Sequence, residues 1–101
     1  MTRMASEDRV EHLLDAALTL ASKAGWENLT RDGIGDAASV SYGLVTQRLG
    51  TMIELRRKVM RRAIKLRCLP VVAQGLARGD RTARGAPDDL KREVAAWLAT
   101  R

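Results

Sequence analysis

Ser41, Tyr42, Leu44, Gln47 and Arg48 are side chains able to reach base edges and phosphates if they share one helical face. The Gln47 amide can make paired hydrogen bonds to adenine, and the Arg48 guanidinium can do so to guanine or bind a phosphate. Leu44 can touch a thymine methyl, and each good paired contact is worth about 1–3 kcal/mol of discrimination. Ser41 and Tyr42, at the start of the same segment, suit phosphate oxygens, assisted by free backbone N–H groups and the positive end of the helix dipole. The bland alternative is a solvated helix face. The charge balance favours the first reading: 18 Lys and Arg stand against 12 Asp and Glu, a net charge of +6 that favours nucleic acid or an anionic membrane surface.

These residues need a scaffold, and Thr30 to Leu49 supplies one by reading as two short helices separated by a tight turn, a helix-turn-helix. Ile34 and Ala38 fall four apart on the first helix, Val45 and Leu49 on the second, so two apolar stripes can meet. Small residues Ala37, Ala38 and Ser39 permit close approach, while Thr30 and Ser41 can cap the two helix starts. Upstream, residues 1–6 read as a flexible arm. Val10, Leu13, Leu14, Ala17, Leu18 and Ala21 then trace a first helix from Glu7 to Lys23, ended by Ala24-Gly25, with Trp26 folding back as a core anchor.

Downstream of Gly50, Thr51 can cap a long fourth helix carrying Leu55, Val59, Ala63 and Leu66, interrupted by Pro70, so that 7–69 forms the main unit. Arg56, Arg57, Lys58, Arg61, Arg62, Lys65 and Arg67 face only Glu54 as an acid within that segment. They read either as a solvated basic face or as like charges awaiting an anionic partner. Gly75 to Pro87 reads as a mobile loop carrying Arg78, Arg81 and Arg84. Asp88 can then cap a last helix with Leu90, Val94, Trp97 and Leu98 on one stripe. Residues 70–101 are thus a loop and a helix that serves either dimerisation or packing within the monomer. The expectation is an all-α small bundle of about five helices in a single domain, without a sheet.

Several classes are disfavoured. No apolar run approaches the roughly 20 residues of a membrane span, and the amino terminus lacks a secretory core, which suggests a cytoplasmic, nucleoid-associated protein. Cys68 is the only cysteine, read as a small buried hydrophobe in preference to a reactive thiol, and His12 is the only histidine, read as a surface residue. One of each cannot build a four-ligand zinc site, and Gly33 with Gly35 lacks the strand and third glycine of a dinucleotide loop. No active site is visible, and no cofactor or small-molecule effector is expected.

Arg9 to Val59, about half of the chain, resembles the amino-terminal DNA-binding domain of the TetR family of bacterial repressors. The matching residues are Asp15-Ala16-Ala17, Gly25-Trp26, Thr30, Ile34-Gly35 and Ala38-Ser39-Val40-Ser41, in order and without a gap. The chain departs from that pattern at Thr46, Leu49 and Met52, where the family usually has Tyr, Phe and a phosphate-binding Lys. It also has Ser39 for the turn glycine and Gly35 for an alanine packed between the helices. The resemblance implies DNA contacts from Thr30, Arg31, Ser41, Tyr42, Leu44, Gln47 and Arg48, with Thr46 replacing one phosphate contact. The family's ligand-binding domain does not fit in the residues after Leu55, so a minimal repressor of phage, plasmid or bacterial origin is expected, acting by operator occlusion. A homodimer would present two third helices about 34–36 Å apart to a near-palindromic double-stranded operator. Arg56, Arg57, Arg61, Arg3 and Arg9 would add phosphate contacts. Two rival readings are an antirepressor- or antitoxin-type module docking an acidic partner through the fourth helix, and membrane-surface binding by that helix.

Overall fold

Capping side chains, glycines and one proline divide the chain into seven α-helices and one 3-10 turn across residues 6–101, which the computed structural model describes. They are α1 (Ser6–Ala24), the 3-10 turn (Trp26–Asn28), α2 (Arg31–Ala38), α3 (Tyr42–Leu49), α4 (Met52–Lys65), α5 (Leu69–Ala77), α6 (Arg81–Arg84) and α7 (Asp88–Ala99). No strand occurs among the described residues. The expected amino-terminal arm lies outside them except for Ser6, which opens α1.

α1 buries the expected stripe, with Leu13, Ala17 and Ala21 almost fully enclosed. Trp26 anchors the core: its indole N–H donates to the Arg56 carbonyl at 3.1 Å and its backbone N–H donates to Gln74 Oε1. The Gln74 amide in turn donates to the Ala21 carbonyl at 3.3 Å, so one aromatic and one amide stitch α1, α4 and α5 together.

α2 and α3 begin where their caps predict. Thr30 Oγ1 accepts from Gly33 N at 3.0 Å and Ser41 Oγ from Leu44 N at 3.2 Å, each satisfying an orphan donor of a first turn. Ile34, Ala38, Val45 and Leu49 are buried as their spacing requires. The close approach of the two helices is made by Gly35 and not by Ala37, which is exposed. A Cβ on Gly35 would lie 2.9 Å from the Val40 carbonyl oxygen, and Val40 N donates back to Gly35 O at 2.9 Å. Ser39 takes the left-handed conformation in the turn, at φ 60°.

α4 starts with a reciprocal cap in which Glu54 N donates to Thr51 Oγ1 at 3.2 Å and Thr51 N to Glu54 Oε1 at 3.1 Å. It ends at Lys65, earlier than Pro70 would stop it. Arg67 turns left-handed at φ 54°, and its N–H and that of Cys68 return to the carbonyls of Ile64 and Ala63, a Schellman ending. Pro70 therefore lies in the first turn of a new helix, where its missing N–H costs nothing, and Leu66 is exposed instead of joining the core.

The expected mobile loop from Gly75 to Pro87 is instead ordered structure. α5 runs through its first three residues, and Asp80 caps α6 by accepting from Ala83 N at 2.9 Å. Ala83 and Ala86 are buried, and Gly75 lets α6 settle: a Cβ there would lie 2.7 Å from Ala83 Cβ and 2.4 Å from Met60 Cε. Small residues do this packing, which is why a search for large apolar periodicity overlooks it. Two helices more than expected result. α7 begins at Asp88 after Pro87, which takes the cap position expected of Asp88, and buries Leu90 and Val94. One continuous core links Leu13 to Val94 within a molecule of 44 × 25 × 23 Å.

Candidate nucleic-acid interface

On α3 the 3.6-residue repeat turns Val45 and Leu49 inward and leaves Tyr42, Gly43, Thr46 and Gln47 exposed, with Leu44 and Arg48 half-buried on the flanks. Ser41 and Thr30 stand exposed at the starts of α3 and α2. Each spends an oxygen lone pair on its cap and keeps a hydroxyl proton to donate to a phosphate. Tyr42 is held, not loose: Arg31 Nη1 donates to its hydroxyl at 3.4 Å, and the guanidinium carbon sits 5.9 Å from the ring centroid. Arg31 Nη2 also donates to the Gly50 carbonyl at 3.3 Å, which ties the start of α2 to the end of α3.

Thr30, Arg31, Tyr42 and Arg56 converge on one surface notch of about 350 Å³, lined also by Leu29, Met52 and one acid, Asp32. Arg57 is not in it and lines a separate, larger groove with Arg61. Leu44 turns toward α1, bordering a hollow shared with Arg9, His12 and Val40. Gln47 and Thr46 remain open on the outer face, while Arg48 lies along its flank with Nε shielded from solvent and without a hydrogen-bond acceptor. Arg56 Nε is in the same condition. Arg3 lies outside the described residues.

Two supporting residues were not singled out for these roles by sequence. Lys58 Nζ reaches the carbonyls of Arg48 and Leu49 at 3.5 and 3.4 Å, placing a cation at the negative end of α3. His12 Nε2 lies 3.2 Å from the Ala38 carbonyl, bracing the end of α2 from α1. Both are long-range contacts that no local spacing reveals.

The basic charge of α4 is also less uniform than its sequence suggests. Arg62 makes a two-pronged pair with Asp15, at 3.0 and 3.3 Å, and lies 3.8 Å from Glu11; the Asp15 hydrogen bond foremost holds its guanidinium above the ordinary arginine pKa. Arg67 binds Glu93 at 2.7 Å and Asp89 at 3.3 Å, and the Glu93 hydrogen bond raises it likewise. The acids thus come from α1 for Arg62 of α4 and from α7 for Arg67, two residues beyond the end of α4. Arg56, Arg57, Arg61 and Lys65 have no acidic partner among the described residues.

No protein family, curated protein or solved structure matches the chain. No described helix is long and apolar enough to cross a membrane, and no group of three or more His, Cys, Asp or Glu among the described residues is placed to hold a metal. Cys68 is half-buried, with Sγ 3.6 Å from Ser22 Oγ.

Proposed function

We propose that the chain is a sequence-specific, double-stranded DNA-binding regulator in which α2 and α3 act as a TetR-like helix-turn-helix and α3 enters the major groove. The observation that carries this reading is the open outer face of α3, with Tyr42 and Gln47 exposed, beside a notch where Thr30, Arg31, Tyr42 and Arg56 converge. In this reading Gln47 and Arg48 read base edges, Thr46 touches phosphate or base, and Thr30, Ser41 and Tyr42 fix the register on the backbone. Arg56 and Arg57 add charge along the strand. Repression follows when an operator-bound homodimer blocks polymerase.

Selection of bound fragments from random duplexes, followed by sequencing, tests the proposal. A recurring near-palindromic site is expected; recovery of sequences no different from the starting pool would overturn it. The rival docking of an acidic protein through α4 loses three of that segment's seven cations, because Lys58, Arg62 and Arg67 are engaged within the fold.

A further inference from the structure

Between α4 and α6 runs an open groove of about 680 Å³ whose walls carry four arginines, Arg56, Arg57, Arg61 and Arg81. None of the four guanidiniums is in an ion pair among the described residues, whereas Arg62 and Arg67 of the same stretch are fully paired. The groove's one acid, Asp80, is occupied in capping α6. Exposed Ile53 forms an apolar lip. Such a cleft, with several forked donors and a single engaged acid, suits phosphoryl groups, because a guanidinium meets two oxygens at once. Its direction is given by Arg56, which lines both this groove and the notch of Thr30, Arg31, Asp32 and Tyr42, so the two adjoin at one arginine.

We propose that this groove seats backbone phosphates of the DNA strand leaving the α2/α3 face, with Arg81, far along the chain, completing a clamp with Arg56, Arg57 and Arg61. The inference rests on the DNA-binding reading above and enlarges its footprint. Arg81 is suited to the role because α6 is held firmly, by the Asp80 cap and by Ala83 packed against Gly75. Ile53 would lie against a deoxyribose. The sites read by α3 are unaffected, so the clamp adds affinity without sequence preference.

The test uses the full chain and labelled duplexes of about one helical turn (~10 base pairs) and about three turns (~30 base pairs), titrated by anisotropy over roughly 50 to 200 mM salt. Removing one phosphate contact lowers the magnitude of the slope of log affinity against log salt by about 0.9. That drop, counted per bound chain, is expected for Arg81→Ala on the long duplex only, with Arg81→Lys restoring the slope and circular dichroism unchanged in both. If the wild type binds neither duplex, the DNA reading itself fails and the clamp with it. If the wild type binds but Arg81→Ala keeps the full slope on the long duplex, the clamp alone is overturned. A parallel titration with inorganic pyrophosphate, read by tryptophan emission, separates the sources: a response lost in Arg81→Ala with an unchanged DNA slope would assign the groove to a free phosphate compound instead.

Discussion

At the scale of single residues, the proposed interface divides into side chains that discriminate and side chains that hold. Gln47, open on the outer face of α3, belongs to the first group, and Arg57, unpaired on α4, to the second. Gln47→Ala and Arg48→Ala are each expected to lose about 1–3 kcal/mol on the selected operator and to relax preference at one base pair. Arg57→Ala should weaken operator and scrambled duplex alike. Equal losses on both duplexes for Arg48→Ala would remove its base-reading role. A second residue-scale prediction concerns Glu54, whose carboxyl is held below the usual range first by the Thr51 backbone N–H and then by the Thr51 hydroxyl. A depressed folded pKa means the unfolded chain takes up the proton first. This contribution is therefore fully present above the unfolded carboxyl pKa of about 4.3 and is lost as pH falls through the lower folded value. Chemical denaturation across that acidic window should show Glu54→Gln with a shallower pH dependence than the wild type. Thr51→Ala should cost about 1 kcal/mol at neutral pH from the lost cap.

At the scale of elements, much of the amino-terminal half was legible because its signals are local. Thr30, Ser41 and Thr51 mark three helix starts by chemistry that acts within three residues, and the four-residue spacing of Ile34, Ala38, Val45 and Leu49 marks the buried sides. What escaped detection was nonlocal. The early end of α4 depends on Arg67 turning left-handed with Glu93 and Asp89 from α7 to receive it, and α6 is ordered by Ala83 meeting Gly75. In the candidate site, the types and exposure of Tyr42 and Gln47 followed from spacing, but the notch shared with Arg56 required the first turns of α4 to come near the start of α2. The α2/α3 corner yields opposite predictions four residues apart. Gly35→Ala drives a methyl to 2.9 Å from the Val40 carbonyl, so it should cost about 1–3 kcal/mol and weaken DNA binding by changing the angle between the helices. Ser39→Gly relieves a left-handed residue at φ 60° and should stabilise by up to about 1 kcal/mol, less the added freedom of the unfolded chain. Thermal and urea unfolding of both variants checks the signs.

At the scale of the whole molecule, a regulator reading a near-palindrome needs two copies, and the described surface has an apolar region at the end of α7 suited to joining them. Leu98 is 46% exposed at the end of α7, beside half-buried Trp97, and the two border a hollow with Ser22, Pro70, Ala73 and Ala77 from α1 and α5. Arg101 lies over the Trp97 ring at 4.8 Å, shielding part of it in the single chain. In the proposed homodimer a twofold pairing of this region brings each Leu98 to the partner's hollow, which no side chain of α3 borders. Leu98→Glu places a charge in that seam without touching the buried Leu90 and Val94, so the fold should survive while association fails. Sedimentation equilibrium of the wild type should give twice the chain mass, and Leu98→Glu the single-chain mass. On a palindromic duplex the wild type should bind as two chains in one step, whereas the variant should fill the half-sites independently and with lower affinity. Retention of the wild-type mass and stoichiometry by Leu98→Glu would exclude α7 as the seam and move the search for the dimer contact to another face.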